Sequence, residues 1–208
     1  MSGAAGLLLS GGASRRMGFD KASIRVDDQP AAARAASLLS SVADPVWEVG
    51  PSHCRLPHVR EEPPGSGPVG AVAAGWKALT AAGHQGPVLV LACDLPLMTR
   101  ELLRWLAELP TESTVIPLVD GRAQPLCARW SAADLHRLVQ FFDCGYRAFK
   151  TMYDTLDIAF VDDREWGVAA SSRTFADTDA PEDLERLGIS WAIGEPGAAS
   201  AGRGAGRG

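Results

Sequence analysis

Two apolar runs constrain this chain more than anything else in it: GLLLS from Gly6 to Ser10, and PVLVLACDLP from Pro87 to Pro96. Neither alternates polar with apolar residues, so each suits a strand covered on both faces, as in a parallel sheet. Both stop abruptly at residues able to hold a ligand. The first runs into GGASRRMGFDK, two glycines followed by Arg15, Arg16 and Lys21, and the second ends at Asp94, with Pro96 fixing the turn two residues on.

Strand-like and helix-like stretches alternate through the rest of the chain. ASIRV reads as a short strand, DDQP as a turn, Ala31 to Val42 as a helix and Pro45 to Val49 as a strand; a proline- and glycine-rich loop then runs through Gly67 to a helix from Val69 to Ala82. A helix from Thr99 to Leu109 follows the central strand, with Thr99 as its N-cap. STVIPLV, QPLCARW and DIAFVDD read as later strands, with a helical region from Ala132 to about Tyr153 between the last two. PEDLERLG closes the order with a helix that starts at Pro181 and ends at Gly188. The expected fold is α/β: a single domain over residues 1–190, a Rossmann-like three-layer sandwich around a mixed, mostly parallel sheet. Residues 191–208, glycine-rich beyond Gly194, read as a low-complexity, disordered tail.

At 208 residues the chain is long enough for one sizeable core, and 46% hydrophobic with 22% charged residues is a globular composition. A net charge of −5 gives no general attraction to nucleic acid or anionic membrane, so any polyphosphate must be held by a local cluster such as Arg15, Arg16 and Lys21. No run approaches the roughly 18 apolar residues a membrane span requires, and no basic leader with a cleavage site precedes Gly6, which points to the cytoplasm. Cys54, Cys93, Cys127 and Cys144 form no CxxC pair and no metal spacing with the histidines, and read as reduced, partly buried thiols. His53, His58, His84 and His136 read as surface or packing residues.

Three segments compete as a phosphate loop. A P-loop needs lysine directly after its second glycine and then a hydroxyl, but here Lys21 comes three positions after Gly18 and Ala22 follows it. GSGPVG, from Gly65 to Gly70, matches a dinucleotide fingerprint letter for letter, yet HVREEPP precedes it where that fingerprint requires a buried strand. The opening segment remains, read either as a solvent-exposed basic loop or as backbone and cations gathered on an anion. Asp94 favours the second reading. It lies at the carboxyl end of the central strand, where α/β folds place ligands, and a carboxylate facing a basic loop suits a magnesium–triphosphate complex.

LLLSGGASRRMGFDK resembles the N-terminal signature of the molybdenum cofactor guanylyltransferases, L-A-G-G-x-S-x-R-M-G-x-D-K after a strand, with Ser10 in place of the usual alanine. PGSGPVGAV, LACDLP, GRAQPL and FADTDAPEDL resemble the family's later segments in the expected order, so the likeness spans Gly6 to about Leu187. It implies a nucleotidyltransferase fold and transfer of GMP from Mg-GTP to the phosphate of molybdopterin. Leu9, Ser10, Gly11 and Gly12 would lie along the nucleotide, Arg15, Arg16 and Lys21 would hold the triphosphate, and Gly67 and Pro68 would border base and ribose. Asp94 would ligate Mg²⁺, with Asp179 as a second ligand, and Arg147 would contact the pterin. Glu61 stands where the family usually has aspartate, and Asp177 and Asp179 replace two asparagines of its closing F-x-N-[IV]-N-T-P-E-D-L, as the related cytidylyltransferases tend to do. Arg16, Lys21 and Asp94 would carry the chemistry, by positioning and charge. Molybdoenzymes or other cofactor-biosynthesis proteins are the implied partners. The alternatives are a cytidylyltransferase or another phosphate-acceptor enzyme of the same fold, and a non-enzymatic nucleotide-binding partner of molybdoenzymes.

Overall fold

The computed structural model describes residues 3–11, 24–26, 29–178, 181–189 and 191–193. In chain order these form β1 (Ala5–Leu9), β2 (Ile24–Val26), β3 (Gln29–Pro30), α1 (Ala31–Ser40), β4 (Val46–Val49), β5 (His58–Val59), α2 (Gly67–Ala81), β6 (Val88–Ala92), α3 (Arg100–Glu108), β7 (Thr114–Val119), β8 (Arg122–Ala123), β9 (Cys127–Trp130), α4 (Ala132–Asp143), β10 (Ile158–Val161), α5 (Asp163–Trp166), α6 (Pro181–Arg186) and β11 (Trp191–Ile193).

The two apolar runs sit side by side at the centre of the main sheet, whose order is β10-β7-β9-β6-β1-β4-β5, with β8 hairpinned onto β7. β1 pairs in parallel with both β4 and β6, and only β9 runs against its neighbours on this path. Every residue of β1 and β6 is buried. The pleat then sorts side chains by parity. Leu8, Leu89 and Leu91 join the α1 and α3 side with Leu39, Leu102 and Leu106, while Leu7, Leu9, Val88 and Val90 join the α2 and α4 side with Val72, Trp76 and Leu138. Two cores separated by one sheet make the three-layer sandwich expected from sequence.

The chain leaves β1 through α1 on one face to reach β4 and β5, then crosses the other face through α2 to return beyond β1 at β6. That reversal puts a topological switch point at the carboxyl end of β1, where open α/β sheets leave a crevice for ligands.

Several boundaries differ from the sequence reading. The region from Ala132 to Tyr153 is not one helix: α4 stops at Asp143, because Gly145 takes φ 95°, its N–H donates to Phe142 O and the Tyr146 N–H donates to Phe141 O. This is a Schellman stop, which needs the left-handed conformation glycine adopts freely. The proline- and glycine-rich loop contains the edge strand β5, and α2 begins at Gly67. Gln29 and Pro30, read as part of a turn, pair back onto β2. Trp191–Ile193, the first three residues past the 190/191 boundary, pair with β2 in a separate antiparallel sheet, while the glycine-rich run from Gly194 lies outside the described residues.

Candidate functional site

Register assembles the site. Leu9 pairs with Ala92 on one side and Val49 on the other, and Val49 pairs with Val59, so four strands end on one level. Ser10, Gly50, Arg60 and Cys93 therefore start four neighbouring loops. Backbone bonds fasten them: Cys93 N–H donates to Leu9 O (3.0 Å), Gly50 N–H to Val59 O (2.9 Å), and the N–H groups of Ser10 and Gly11 to Val49 O (3.1 and 3.2 Å). Those two amides are thus spent on the sheet.

Glu61 reaches this edge from the loop after β5. Its Oε1 accepts from Gly65 N–H at 3.2 Å, and its Oε2 lies 4.0 Å from where a Cβ on Gly11 would stand. The carboxylate thus sits beside the end of β1 and just ahead of α2. Gly67 and Pro68 form the first turn of that helix, which contains no acid, and the Ser66 hydroxyl donates to Pro63 O instead of capping it.

Asp94 occupies the turn after β6 and is half-buried. The local sequence explains why it is not a helix cap: Thr99 takes that role for α3, accepting from Leu102 N–H at 3.3 Å. Thr178, buried in the closing segment, donates both its N–H (3.1 Å) and its hydroxyl (3.2 Å) to Asp94 O. The chain position next to Asp179 is therefore fastened to the Asp94 turn. The carboxylate of Asp94 is a hard oxygen donor of the kind a divalent cation accepts alongside phosphate oxygens. Among the described residues no cluster of three or more such side chains exists that could hold a metal alone.

Arg147 follows α4 in the chain. Its guanidinium lies 4.2 Å from the centre of the Phe142 ring and donates to Phe142 O (2.7 Å) and Tyr146 O (2.9 Å), covering the end of α4. It lies past the end of that helix and not on a helical face. Phe142 in turn packs against Gly70 in the first turns of α2, 3.0 Å from its would-be Cβ. Gly12, Arg15, Arg16, Lys21 and Asp179 lie outside the described residues.

One residue escaped the sequence reading. Glu48 in β4 is fully buried and accepts from the Ser10 hydroxyl, His53 N–H (2.7 Å) and Cys54 N–H (2.8 Å). Burial pushes its carboxyl up, but the donors at Ser10, His53 and Cys54 outweigh that and hold it below the ordinary range. The only available signal was a charge inside VWEV, a strand otherwise apolar. The histidine reading agrees with the geometry: Trp76 lies edge-on to His84 and His136, its Nε1 donating to His136 Nδ1 at 3.4 Å. All four cysteines are free thiols.

The family profile for the MobA-like NTP transferase domain matches residues 6–155. A probable molybdenum cofactor guanylyltransferase of Mycobacterium avium is 32% identical over 198 residues, covering 88% of this chain and 94% of the relative. Among solved structures, molybdopterin-guanine dinucleotide biosynthesis protein A from Archaeoglobus fulgidus has a TM-score of 0.70 at 19% identity, over 88% of this chain and 96% of that one. A Mycobacterium tuberculosis protein solved in complex with manganese has a TM-score of 0.60 at 13% identity, over 89% of this chain and 98% of that one. The two solved structures share the fold, and the profile with the curated relative supplies the kinship: the chain belongs to the MobA-like NTP transferase domain family.

Proposed function

We propose that this chain is a molybdenum cofactor guanylyltransferase, moving GMP from GTP to the terminal phosphate of molybdopterin and releasing pyrophosphate. The convergence of Leu9 to Gly11, Glu61 and Asp94 on one sheet edge carries the reading. It agrees with the name of the Mycobacterium avium relative, which covers nearly the same length.

The acceptor phosphate attacks the α-phosphorus in line, its oxygen forming the new P–O bond as the bond to pyrophosphate breaks. That acceptor is already anionic, so no strong general base is needed, and the work is positioning and charge. The end of β1 lies along the nucleoside, with Gly67 and Pro68 bordering it. Glu61 beside Gly11 offers carboxylate oxygens to the ring N–H and exocyclic amine of guanine, neighbouring donors that cytosine does not present together. Arg15, Arg16 and Lys21 hold the triphosphate and offset charge that builds on it. Asp94, with Asp179, would hold the divalent metal, which we take to be Mg²⁺ and which would offset charge on the triphosphate. Arg147 borders the pterin side. No helix among the described residues is long and apolar enough to cross a membrane, and we place the reaction in the cytoplasm, in one domain over residues 1–190 extended by β11.

The test is product analysis: the purified chain, Mg²⁺ and molybdopterin with GTP or CTP, followed by mass spectrometry. The guanine dinucleotide is expected with GTP, and Glu61→Ala is expected to erode the preference. A cytosine dinucleotide instead would assign the chain to the other base.

A further inference from the structure

A fully buried anion at the edge of a triphosphate site calls for a reason. Burying a carboxylate is unfavourable unless every lone pair it turns inward finds a donor, and an aliphatic side chain in a strand such as VWEV avoids the difficulty. Glu48 pairs in register with Leu8, one residue before the end of β1. Its donors come from two loops bordering the site: the Ser10 hydroxyl from the loop after β1, and the His53 and Cys54 amides from the loop after β4. Gly50 completes the arrangement. A Cβ there would fall 2.2 Å from Ser10 Oγ and 2.8 Å from Gly11 N, so only glycine leaves room for the serine hydroxyl and for the close approach of the two loops.

We propose that Glu48 is a positioning residue for the nucleotide: together with Ser10 and Gly50 it clasps the end of β1 to the loop after β4, fixing Ser10 and Gly11 where the nucleoside lies. The inference rests on the nucleotidyltransferase reading and adds a residue to it that touches no substrate. The chemistry requires a carboxylate. Oε1 accepts from both Ser10 and His53, and Oε2 accepts from Cys54. A glutamine has one acceptor oxygen, so in either orientation its NH₂ faces a donor. Ser10 belongs to the same device. With alanine there, the carboxylate keeps only two backbone donors, so the serine that departs from the family signature and the glutamate in β4 act as one unit.

The test uses the whole chain, with Ser10→Ala, Glu48→Ala and their double variant titrated calorimetrically with each of GTP, CTP, ATP and UTP in Mg²⁺. Steady-state KM, kcat and the urea midpoint are measured in parallel. For whichever nucleotide the wild type binds, Glu48→Ala is expected to weaken binding and raise KM by roughly tenfold, the scale of losing a charged hydrogen-bond network. kcat is expected to stay within about twofold, because interactions made equally with ground and transition state move KM alone. Ser10→Ala is expected to weaken binding by a few fold, and to add nothing once Glu48 is gone. Ser10→Ala also removes only a hydroxyl, so it carries the test if Glu48→Ala does not fold. Variants that lose stability yet bind and turn over nucleotide with wild-type KM overturn the proposal and make Glu48 a packing residue. A wild type that binds none of the four nucleotides overturns the functional reading and this inference with it; a wild type that binds, beside variants that bind equally well, overturns the inference alone.

Discussion

Thr178 donates twice to one atom: its amide and its hydroxyl reach the carbonyl oxygen of Asp94 at 3.1 and 3.2 Å, across 84 positions of sequence. The strand-end turn and the closing segment are therefore held as one unit, and Asp179 follows the fastened residue directly.

Thr178→Val keeps the amide bond and removes the hydroxyl from a buried position. The expected loss is about 0.5–1.5 kcal/mol in urea unfolding. If Asp94 and Asp179 share the metal as proposed, the Mg²⁺ concentration for half-maximal turnover is expected to rise as well. Metal dependence identical to wild type contradicts a role in the site.

Asp134 tests the opposite edge of the sheet. It is fully buried and accepts from Thr114 Oγ1 (2.7 Å) and Asp157 N–H (3.1 Å), joining α4 to the starts of β7 and β10. Asp134→Ala strands the Asp157 amide and leaves the Thr114 hydroxyl only its longer contact to Ser131 Oγ (3.3 Å), and is expected to cost about 3 kcal/mol of stability. Below its melting temperature its KM for nucleotide is expected to match wild type. A changed KM would show that the two sheet edges are coupled.

The architecture was legible because β1 and β6 are buried on both faces, which leaves an unbroken apolar run in sequence, and because strand and helix alternate around them. The place of Asp94 followed from the same rule. Weak local signals hid the rest. The two-residue strands β5 and β8 exist only through pairing with longer neighbours. The end of α4 was missed because amphipathic spacing continues past Gly145, and the backbone geometry there outranks it. Glu48 was overlooked because its partners are a hydroxyl and two backbone amides, which no residue pattern displays. Glu61, legible as a substitution in a motif, gained a place only when the fold set it beside Gly11.

The thiols separate by environment. Burial, and then the nearby Glu48 carboxylate, push Cys54 up to about 12; burial alone does the same to Cys127. Cys144 is exposed at the end of α4. Since the thiolate is the reactive form, a maleimide at neutral pH is expected to label Cys144 first and to leave Cys54 and Cys127 unmodified in the folded chain. Peptide mapping by mass spectrometry reads this directly, and prompt labelling of Cys54 contradicts the clasp geometry around it.

Glu48 also predicts a pH dependence. Although burial opposes it, the hydrogen bonds hold its carboxyl below the ordinary value of 4.5, so the folded chain binds that proton more weakly than the unfolded chain does. Stability from this group is complete above the unfolded value and is lost as pH falls through the folded one. The gap in urea midpoint between wild type and Glu48→Gln should therefore narrow on going from about pH 6 to about pH 3. A gap that stays constant contradicts an ionised Glu48.

If Asp94 holds the metal for GMP transfer as proposed, pyrophosphate release from GTP with molybdopterin depends on it. Asp94→Ala is expected to fold normally and to lose on the order of 10²–10³ in kcat, the scale of removing a preorganised electrostatic partner. A folded Asp94→Ala variant that releases pyrophosphate at the wild-type rate would contradict a metal-holding role for Asp94.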